Sequence, residues 1–470
     1  MSLGYCMHSG AYLMMKQSMC FGGVLFLILV VIGKADDNGL ALTPPLGWRS
    51  WNLFGDHVNQ TLLEGTMDTM VRRTFLDHDT NEPISLCDIG YCDVGLDDNW
   101  QACHSPEAAS DMHYHDTHGR PIINYDRFPN LTAMVNHAHS LNLTAGWYGN
   151  NCICRDTCRN ERECELQMRG DAQALVDYGF DGWKLDGCGG EVDLVKVHQI
   201  LRELSPQKPI LVENCHWGSV VPYRPDPSQN TAEKSCPWNF YRSSVDIEPS
   251  YGSILNNLQS MTELYQKNLS YPGCWAYPDM LMVGCSHELT FAEERTHFGA
   301  WAIVSSPLIL SHDVNDHAVS ERIWPLIANK EVLRVNQAYY GDSGGPYHIS
   351  HSMITLYENL DMAKSSSDNI NLSSNQVPSY RYLSKTLGGG QVAVLLINSA
   401  PVVQTLQALF EDIQQLQCNV CHVRDIWNHA DLGVFSTSWS VAVDPHDAAF
   451  IIVQPVSSQS SLRSHVPSMD

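Results

Sequence analysis

The chain has 470 residues, of which 44% are hydrophobic, and a formal net charge of −24, so a large core is available to it. Its acidic residues are spread along the chain without any Lys/Arg-rich segment, which argues against nucleic acid or an anionic membrane surface as a partner. Sixteen cysteines would be unusual in a reducing cytosol and are ordinary in a secreted protein stapled by disulfides.

Residues 1–35 read as a secretory signal peptide with cleavage after Ala35: Lys16 precedes an apolar run, and "VLFLILVVI" is too short for a comfortable membrane span. An uncleaved signal anchor is the alternative. Fourteen cysteines follow the signal. The cluster Cys152, Cys154, Cys158 and Cys164 would suit zinc in isolation, but the export signal favours disulfides. Asn59, Asn130, Asn142, Asn268 and Asn371 stand in Asn-x-Ser/Thr sequons, as expected of a secretory glycoprotein.

From residue 46 to about 313 short apolar runs alternate with segments of helical periodicity. The strand-like runs are 46–51, 91–98, 143–150, 180–187, 209–215, 240–247, 273–284 and 306–313. Between them, 131–142, 164–179, 192–204, 252–268 and 290–304 predict helices, and 322–337 predicts the last helix of the series. Eight strands with crossover helices predict a (β/α)8 TIM barrel over 36–340, with a doubly wound open sheet as the alternative. Asp97, Asp98, Tyr148, Asp186, Asp246 and Asp279 all fall at or just beyond the C-terminal ends of their runs, where a barrel assembles its active site. Beyond the turn-rich "GDSGGP" (341–346), runs at 351–358, 379–384, 391–398 and 448–455 predict an antiparallel β-sandwich domain over 341–456. Residues 364–376 read as a long exposed loop, and 457–470 as a disordered tail.

Lys184 and Asp186 are two residues apart in "FDGWKLDGCGG", so a strand points both to one face. Such a lysine would keep a buried Asp186 ionised, as a nucleophile requires. A structural ion pair explains the motif equally well. "FYRSSVDIE" offers a second carboxylate, Asp246, with Arg242 four residues before it. Two carboxylates across a barrel mouth are what glycoside hydrolysis needs. Asp97 and Asp98 can accept hydrogen bonds from neighbouring sugar hydroxyls, and Trp51, Tyr148 and Trp217 can wall a pyranose face. No HExxH or EF-hand spacing supports a metal site.

"NGLALTPPLGWRSWN", "LDDNW", "WYGN", "WKLDGC", "CHWG", "YRSSVDI" and "WAYPDMLMVG" followed by "FGAWAIVSSPLILSHD" resemble, in order and spacing, glycoside hydrolase family 27, the α-galactosidases or melibiases. The resemblance covers about residues 38–340 and is weaker beyond. It implies a retaining mechanism with Asp186 as nucleophile and Asp246 as acid/base, no metal or organic cofactor, and an α-galactoside as substrate. It also implies sugar contacts at Trp51, Asp97, Asp98, Tyr148, Lys184, Arg242 and Asp279. Two disulfides are implied in the same way: Cys215 with Cys236, and Cys188 with a partner among Cys152, Cys154 and Cys158.

Three positions depart from the family pattern. His216 stands where α-galactosidases carry Glu and N-acetylgalactosaminidases Ser, and it joins Trp217 among the expected pocket residues. Tyr277 replaces a family Asp in "WAYPDM", and Asn99 replaces a disulfide cysteine, which implies a rewired network around Cys87, Cys92 and Cys103. These departures resemble a branch with β-L-arabinopyranosidase activity. The expectation is therefore a secreted or lysosomal/vacuolar exo-α-galactosidase, monomeric or homodimeric. β-L-arabinopyranosidase, α-N-acetylgalactosaminidase, a transglycosylase and an inactive sugar-binding protein are the alternatives.

Overall fold

The computed structural model describes residues 38–108, 114–150, 152–154, 158–188, 193–222, 236–359 and 372–456. The expected signal segment, the C-terminal tail, the sequon at Asn371 and most of the 364–376 loop lie outside the described residues.

The eight apolar runs fold as β1 (Leu46–Arg49), β2 (Asp93–Gly95), β3 (Thr144–Gly149), β4 (Gly182–Asp186), β5 (Leu211–Cys215), β6 (Phe240–Arg242), β7 (Trp275–Tyr277) and β8 (Leu308–Leu310). They form one parallel sheet in the order β8-β1-β2-β3-β4-β5-β6-β7. A single backbone bond, Leu281 N–H to the Ile309 carbonyl (2.9 Å), bridges the seam between β7 and β8. The architecture is TIM-like, as the alternation predicted. Each strand is shorter than its apolar run: β1, β6 and β7 stop early because the residues at the C-terminal end of the run leave the ladder, whereas β5 is trimmed at its N-terminal end only.

The crossovers are α1 (Gln60–Met70), α2 (Leu131–Ser140), α3 (Glu161–Tyr178), α4 (Leu194–Leu204), α5 (Tyr251–Gln266), α6 (Phe291–Ile303), α7 (His317–Ile327) and α8 (Lys330–Gln337). Among the described residues no helix separates β5 from β6. Every one of these helices starts on an Asn, Asp, Ser or Thr whose side chain accepts a first-turn N–H: Asn59, Asn130, Asn160, Asp193, Ser250, Thr290, Asp316 and Asn329. Such a cap contributes about 1 kcal/mol. The helix predicted over 322–337 is two helices, because Asn329 leaves the helical path to cap Glu331 and Val332 while its amide donates to the Ile426 carbonyl (2.8 Å). No helix among the described residues is long and apolar enough to cross a membrane.

The barrel interior is charged as well as apolar. A Cβ on Gly95 would lie 2.8 Å from the Arg49 guanidinium carbon, so glycine there makes room for the arginine. Arg49 Nη2 donates to Glu213 (2.9 Å), and the other carboxylate oxygen of Glu213 accepts the Tyr277 hydroxyl.

Ten more strands follow: β9 (Gly345–Ile349), β10 (Met353–Asn359), β11 (Leu372–Pro378), β12 (Tyr380–Gly388), β13 (Gln391–Asn398), β14 (Gln404–Leu409), β15 (Val420–Asp425), β16 (Ala430–Ser436), β17 (Ser438–Val443) and β18 (Ala448–Pro455). An antiparallel six-stranded sheet, β9-β12-β13-β18-β15-β16, faces the β14·β17 pair across a sandwich core of Val392, Val394, Leu396, Leu406, Ala408 and Trp439. Alternate residues Ala393, Leu395 and Ile397 join the core shared with the barrel. Both faces of β13 are covered, which explains its unbroken apolar run. The loop expected at 364–376 is corrected at its end: residues 372–376 belong to β11 and pair with β10.

Among the described residues six disulfides join Cys87–Cys92, Cys103–Cys154, Cys152–Cys188, Cys158–Cys164, Cys236–Cys274 and Cys418–Cys421. All four cysteines of the 152–164 cluster are thus consumed, and Cys188 takes its partner from the expected set. The Cys215–Cys236 pairing is wrong: Cys236 binds Cys274, and Cys215 is a buried free thiol. Topology gives the reason. Cys236 and Cys274 each stand just before a strand, at the N-terminal end of neighbouring β6 and β7, whereas Cys215 ends β5 at the opposite end of the barrel.

Candidate active site

At the C-terminal end of the barrel one pocket is lined by Trp51 after β1, Asp97 after β2, and Tyr148 of β3. Cys152, Lys184, Asp186, Trp217, Arg242, Asp246, Asp279 and Met280 complete it. Expected residues separated by more than 200 positions in the sequence therefore converge. Parity explains the aim: on β4, Gly182, Lys184 and Asp186 face inward while Trp183 and Leu185 enter the helical layer. The strand stops at Gly187, where a Cβ would stand 3.1 Å from the Trp217 ring, so glycine lets that indole cross the strand end.

Asp186 is 7% exposed. The Tyr148 hydroxyl donates to its Oδ2 (3.1 Å), and the Asn150 amide donates to its carbonyl (2.7 Å). Burial pushes its carboxyl above the ordinary range, against the opposing fields of Lys184 and Arg242 and the Tyr148 hydrogen bond. The expected Lys184–Asp186 ion pair does not form. Lys184 Nζ bonds Asp97 at 2.8 Å instead, because β2 carries Asp97 across the barrel interior to it. Burial opposes the charge of Lys184, but Asp97 and its neighbours hold it above the usual lysine range.

Asp246 is the open counterpart, its side chain 63% exposed. Arg242 Nη1 donates to it at 2.7 Å, and Arg242 Nη2 reaches Asp279 at 3.1 Å. Asp279 is buried and its carboxyl is pushed up by burial, although Arg242 opposes the shift. It sits at φ 104°, a conformation that costs a non-glycine residue about 1–3 kcal/mol. Its carboxylate accepts the Ile247 and Met280 N–H groups, and its carbonyl accepts the Trp301 indole (2.6 Å). These bonds hold the strained backbone and aim the side chain at Arg242.

Two expected residues do not line the pocket. Asp98 lies behind it, its carboxylate accepting the backbone N–H groups of Asn99 (2.7 Å), Cys152 (3.1 Å) and Ile153 (3.1 Å), so it shapes the β3 loop. Its carboxyl is pushed up to about 6, chiefly by burial. His216 is half-buried, with Nδ1 against Asn214 Oδ1 (2.8 Å), and burial lowers its basicity. Tyr277 also stands away from the pocket, in the barrel floor on Glu213. Sequence reading passed over Arg49 and Glu213, although a charge inside an apolar strand run is the signal that marks both, and over Met280, which carries no such signal; Cys152 was read as a disulfide candidate and not as a pocket wall. Cys152, Asp186 and Cys188 lie together, but the two sulfurs are bonded to each other and offer no thiolate ligand.

Residues 43–338 match the family described as alpha galactosidase A. The chain belongs to that family. Residues 378–453 match its C-terminal beta sandwich domain. As a member of the alpha galactosidase A family the chain is a glycoside hydrolase, as the motif resemblance implied. An alpha-galactosidase of Cyamopsis tetragonoloba is 28% identical over 428 residues, covering 89% of this chain and 88% of the relative. The structure of alpha-galactosidase I from Mortierella vinacea matches with TM-score 0.67 at 22% identity, over 89% of this chain and 98% of that one. A family 27 β-L-arabinopyranosidase of Geobacillus stearothermophilus, solved with arabinose, shares the fold with TM-score 0.64 at 17% identity over the same shares.

Proposed function

We propose that this protein is a retaining exo-glycosidase that releases terminal α-D-galactose by double displacement. The observation that carries the reading is a single pocket with two carboxylates in unlike settings. Asp186 is buried and hydrogen-bonded by a neutral phenol; Asp246 is solvent-exposed and held by Arg242. In the first step Asp186 attacks the anomeric carbon while Asp246 gives its proton to the departing glycosidic oxygen. In the second, Asp246 takes a proton from water, the water oxygen attacks the same carbon, and Asp186 leaves as carboxylate. Desolvation leaves the nucleophile poorly stabilised, while Lys184 and Arg242 keep its ionised form accessible. Asp97, Lys184, Arg242 and Asp279 supply acceptors and donors for the sugar hydroxyls, and Trp51 and Trp217 its apolar walls.

β-L-arabinopyranosides and α-N-acetylgalactosaminides are the rival substrates. A destination in the secretory pathway, secreted or lysosomal/vacuolar, agrees with the six disulfides. The test is side-by-side hydrolysis of the three p-nitrophenyl glycosides, with proton NMR of the first-formed sugar. α-Galactose as first product from the best substrate is expected. Inversion, or galactose binding by folded protein without turnover of any of the three, would defeat the reading.

A further inference from the structure

The leaving group of a glycoside departs past the residue that protonates it, so the surface next to Asp246 decides what aglycone is accepted. Two segments build that surface, the turn after β5 and the loop after β6. The turn reverses through Trp217 (φ 48°) and Gly218 (φ 79°). It then folds against the second segment so closely that a Cβ on Gly218 would meet the Ser243 carbonyl at 2.5 Å. Asn214 Nδ2 ties it down through the Val220 carbonyl (3.0 Å), and Asn257 Nδ2 holds the Val245 carbonyl (3.1 Å). Trp217 from the first segment and Asp246 from the second both line the pocket, so the two segments form one continuous edge of its mouth.

That edge exposes apolar side chains beside its polar ones. Val245, immediately before Asp246, is 66% exposed, and Val220 and Val221 are 37% and 39% exposed. Exposed polar neighbours on the same segments are Ser219, Asp246 and Glu248. Single exposed valines need no explanation, but these three stand on two segments that pack together at Gly218 and Ser243 and that each contribute a pocket-lining residue, so they put apolar surface beside the mouth. A hydrated oligosaccharide would gain little on such a ledge, whereas a hydrocarbon chain laid over it removes apolar surface from water on both sides.

Building on the galactosidase reading, we propose that the Trp217, Val220, Val221 and Val245 edge is an aglycone subsite for α-galactosides whose leaving group carries an alkyl chain. One side-chain to backbone bond anchors each segment without a ligand, which lowers the ordering cost of binding.

The experiment is kcat/KM for methyl, butyl, hexyl and octyl α-D-galactoside below their micellar concentrations, with melibiose alongside. The alkoxide leaving groups of the longer three are chemically alike, so their slope reports the ledge alone. We expect a rise of about two- to fourfold per methylene over the first few carbons on the ledge, and octyl galactoside to outrank melibiose. In Val245→Asn, and independently in Val221→Ser, the octyl to butyl ratio should fall toward one; the ratio cancels any general loss of activity in either variant. A flat series in an enzyme that turns over methyl galactoside, or an unchanged ratio in both folded variants, overturns the ledge and leaves the galactosidase reading standing. Failure to hydrolyse any galactoside overturns both.

Discussion

Replacing Tyr148 by Phe isolates one interaction at Asp186, the proposed nucleophile. The ring stays, and with it the Lys184 ammonium 5.4 Å from its centroid; only the hydroxyl that donates to Asp186 Oδ2 is lost. A hydrogen bond to a charged acceptor contributes about 1.5–3 kcal/mol. At 3.1 Å this one is longer than the usual O–H···O distance of about 2.7–2.8 Å, which places it at the low end, about 1.5 kcal/mol. Asp186 is 7% exposed, so solvent does not replace the lost donor. The bond favours the ionised carboxylate, so its removal raises the Asp186 pKa further in the direction burial has already pushed it. At about 1.36 kcal/mol per unit the shift is roughly one pH unit. The proposed mechanism needs Asp186 ionised, so the acidic limb of kcat/KM should move up by about one unit. Activity falls roughly tenfold well below the limb, and less above it. The assay is the pH dependence of kcat/KM on an aryl α-galactoside, which reports ionisations of the free enzyme. An acidic limb unmoved within about 0.3 unit while the whole curve drops would refute the reasoning, and would make Tyr148 a wall of the sugar site only.

Asp186→Ala should abolish turnover of all α-galactosides, and added azide should restore part of it with a glycosyl azide as product; unimpaired hydrolysis would remove Asp186 from its role. Asp246→Ala should slow substrates with poor leaving groups by about 10²–10⁴-fold and activated aryl galactosides far less, because only the former need the proton; equal losses on both would count against an acid/base role. Cys274→Ser opens a loop whose cysteines are 38 residues apart and should cost up to about 4 kcal/mol of stability, read as a lowered denaturation midpoint. Cys215→Ser should leave that midpoint nearly unchanged. A Cys215–Cys236 peptide in a non-reducing digest would reverse the assignment.

The barrel was legible because its signal is repeated. Parallel strands covered on both sides are short apolar runs, and among the described residues all but β5 are followed by a helix whose Asn, Asp, Ser or Thr cap is visible in the sequence, as at Asn160, Asp193 and Thr290. Where the signal was local, reading failed. Polar β11 looks like a loop, since "LSSNQVP" owes its strand form to pairing with β10 and not to its own composition. The last helix was read as one because nothing in "IANKEV" says that Asn329 will find the Ile426 carbonyl of the sandwich. Position along a strand was readable and spatial partner was not. Parity placed Lys184 and Asp186 on one face, yet the lysine's partner came from β2. The disulfide of Cys236 followed from which end of the barrel each cysteine occupies, a matter that spacing does not encode.

The cations around the pocket are distributed so as to leave one acid aside. Arg49 is engaged by Glu213, Lys184 by Asp97, and Arg242 by both Asp246 and Asp279. Among the described residues lining the pocket, Asp186 is the carboxylate with no direct ionic partner. A direct ion pair would have stabilised its charge before reaction and made the carboxylate a poorer nucleophile. Burial acts the other way, raising the free energy of the charged form, while Lys184 and Arg242, held at a distance by their own carboxylates, supply enough field to keep ionisation accessible. The Lys184–Asp97 bond therefore does two things at once. It compensates a buried lysine, and it restrains that lysine from closing on Asp186. In a barrel the arrangement costs no extra structure, because two strands, β2 with Asp97 just beyond it and β4 with Lys184 and Asp186, deliver the three side chains to the same end of one interior.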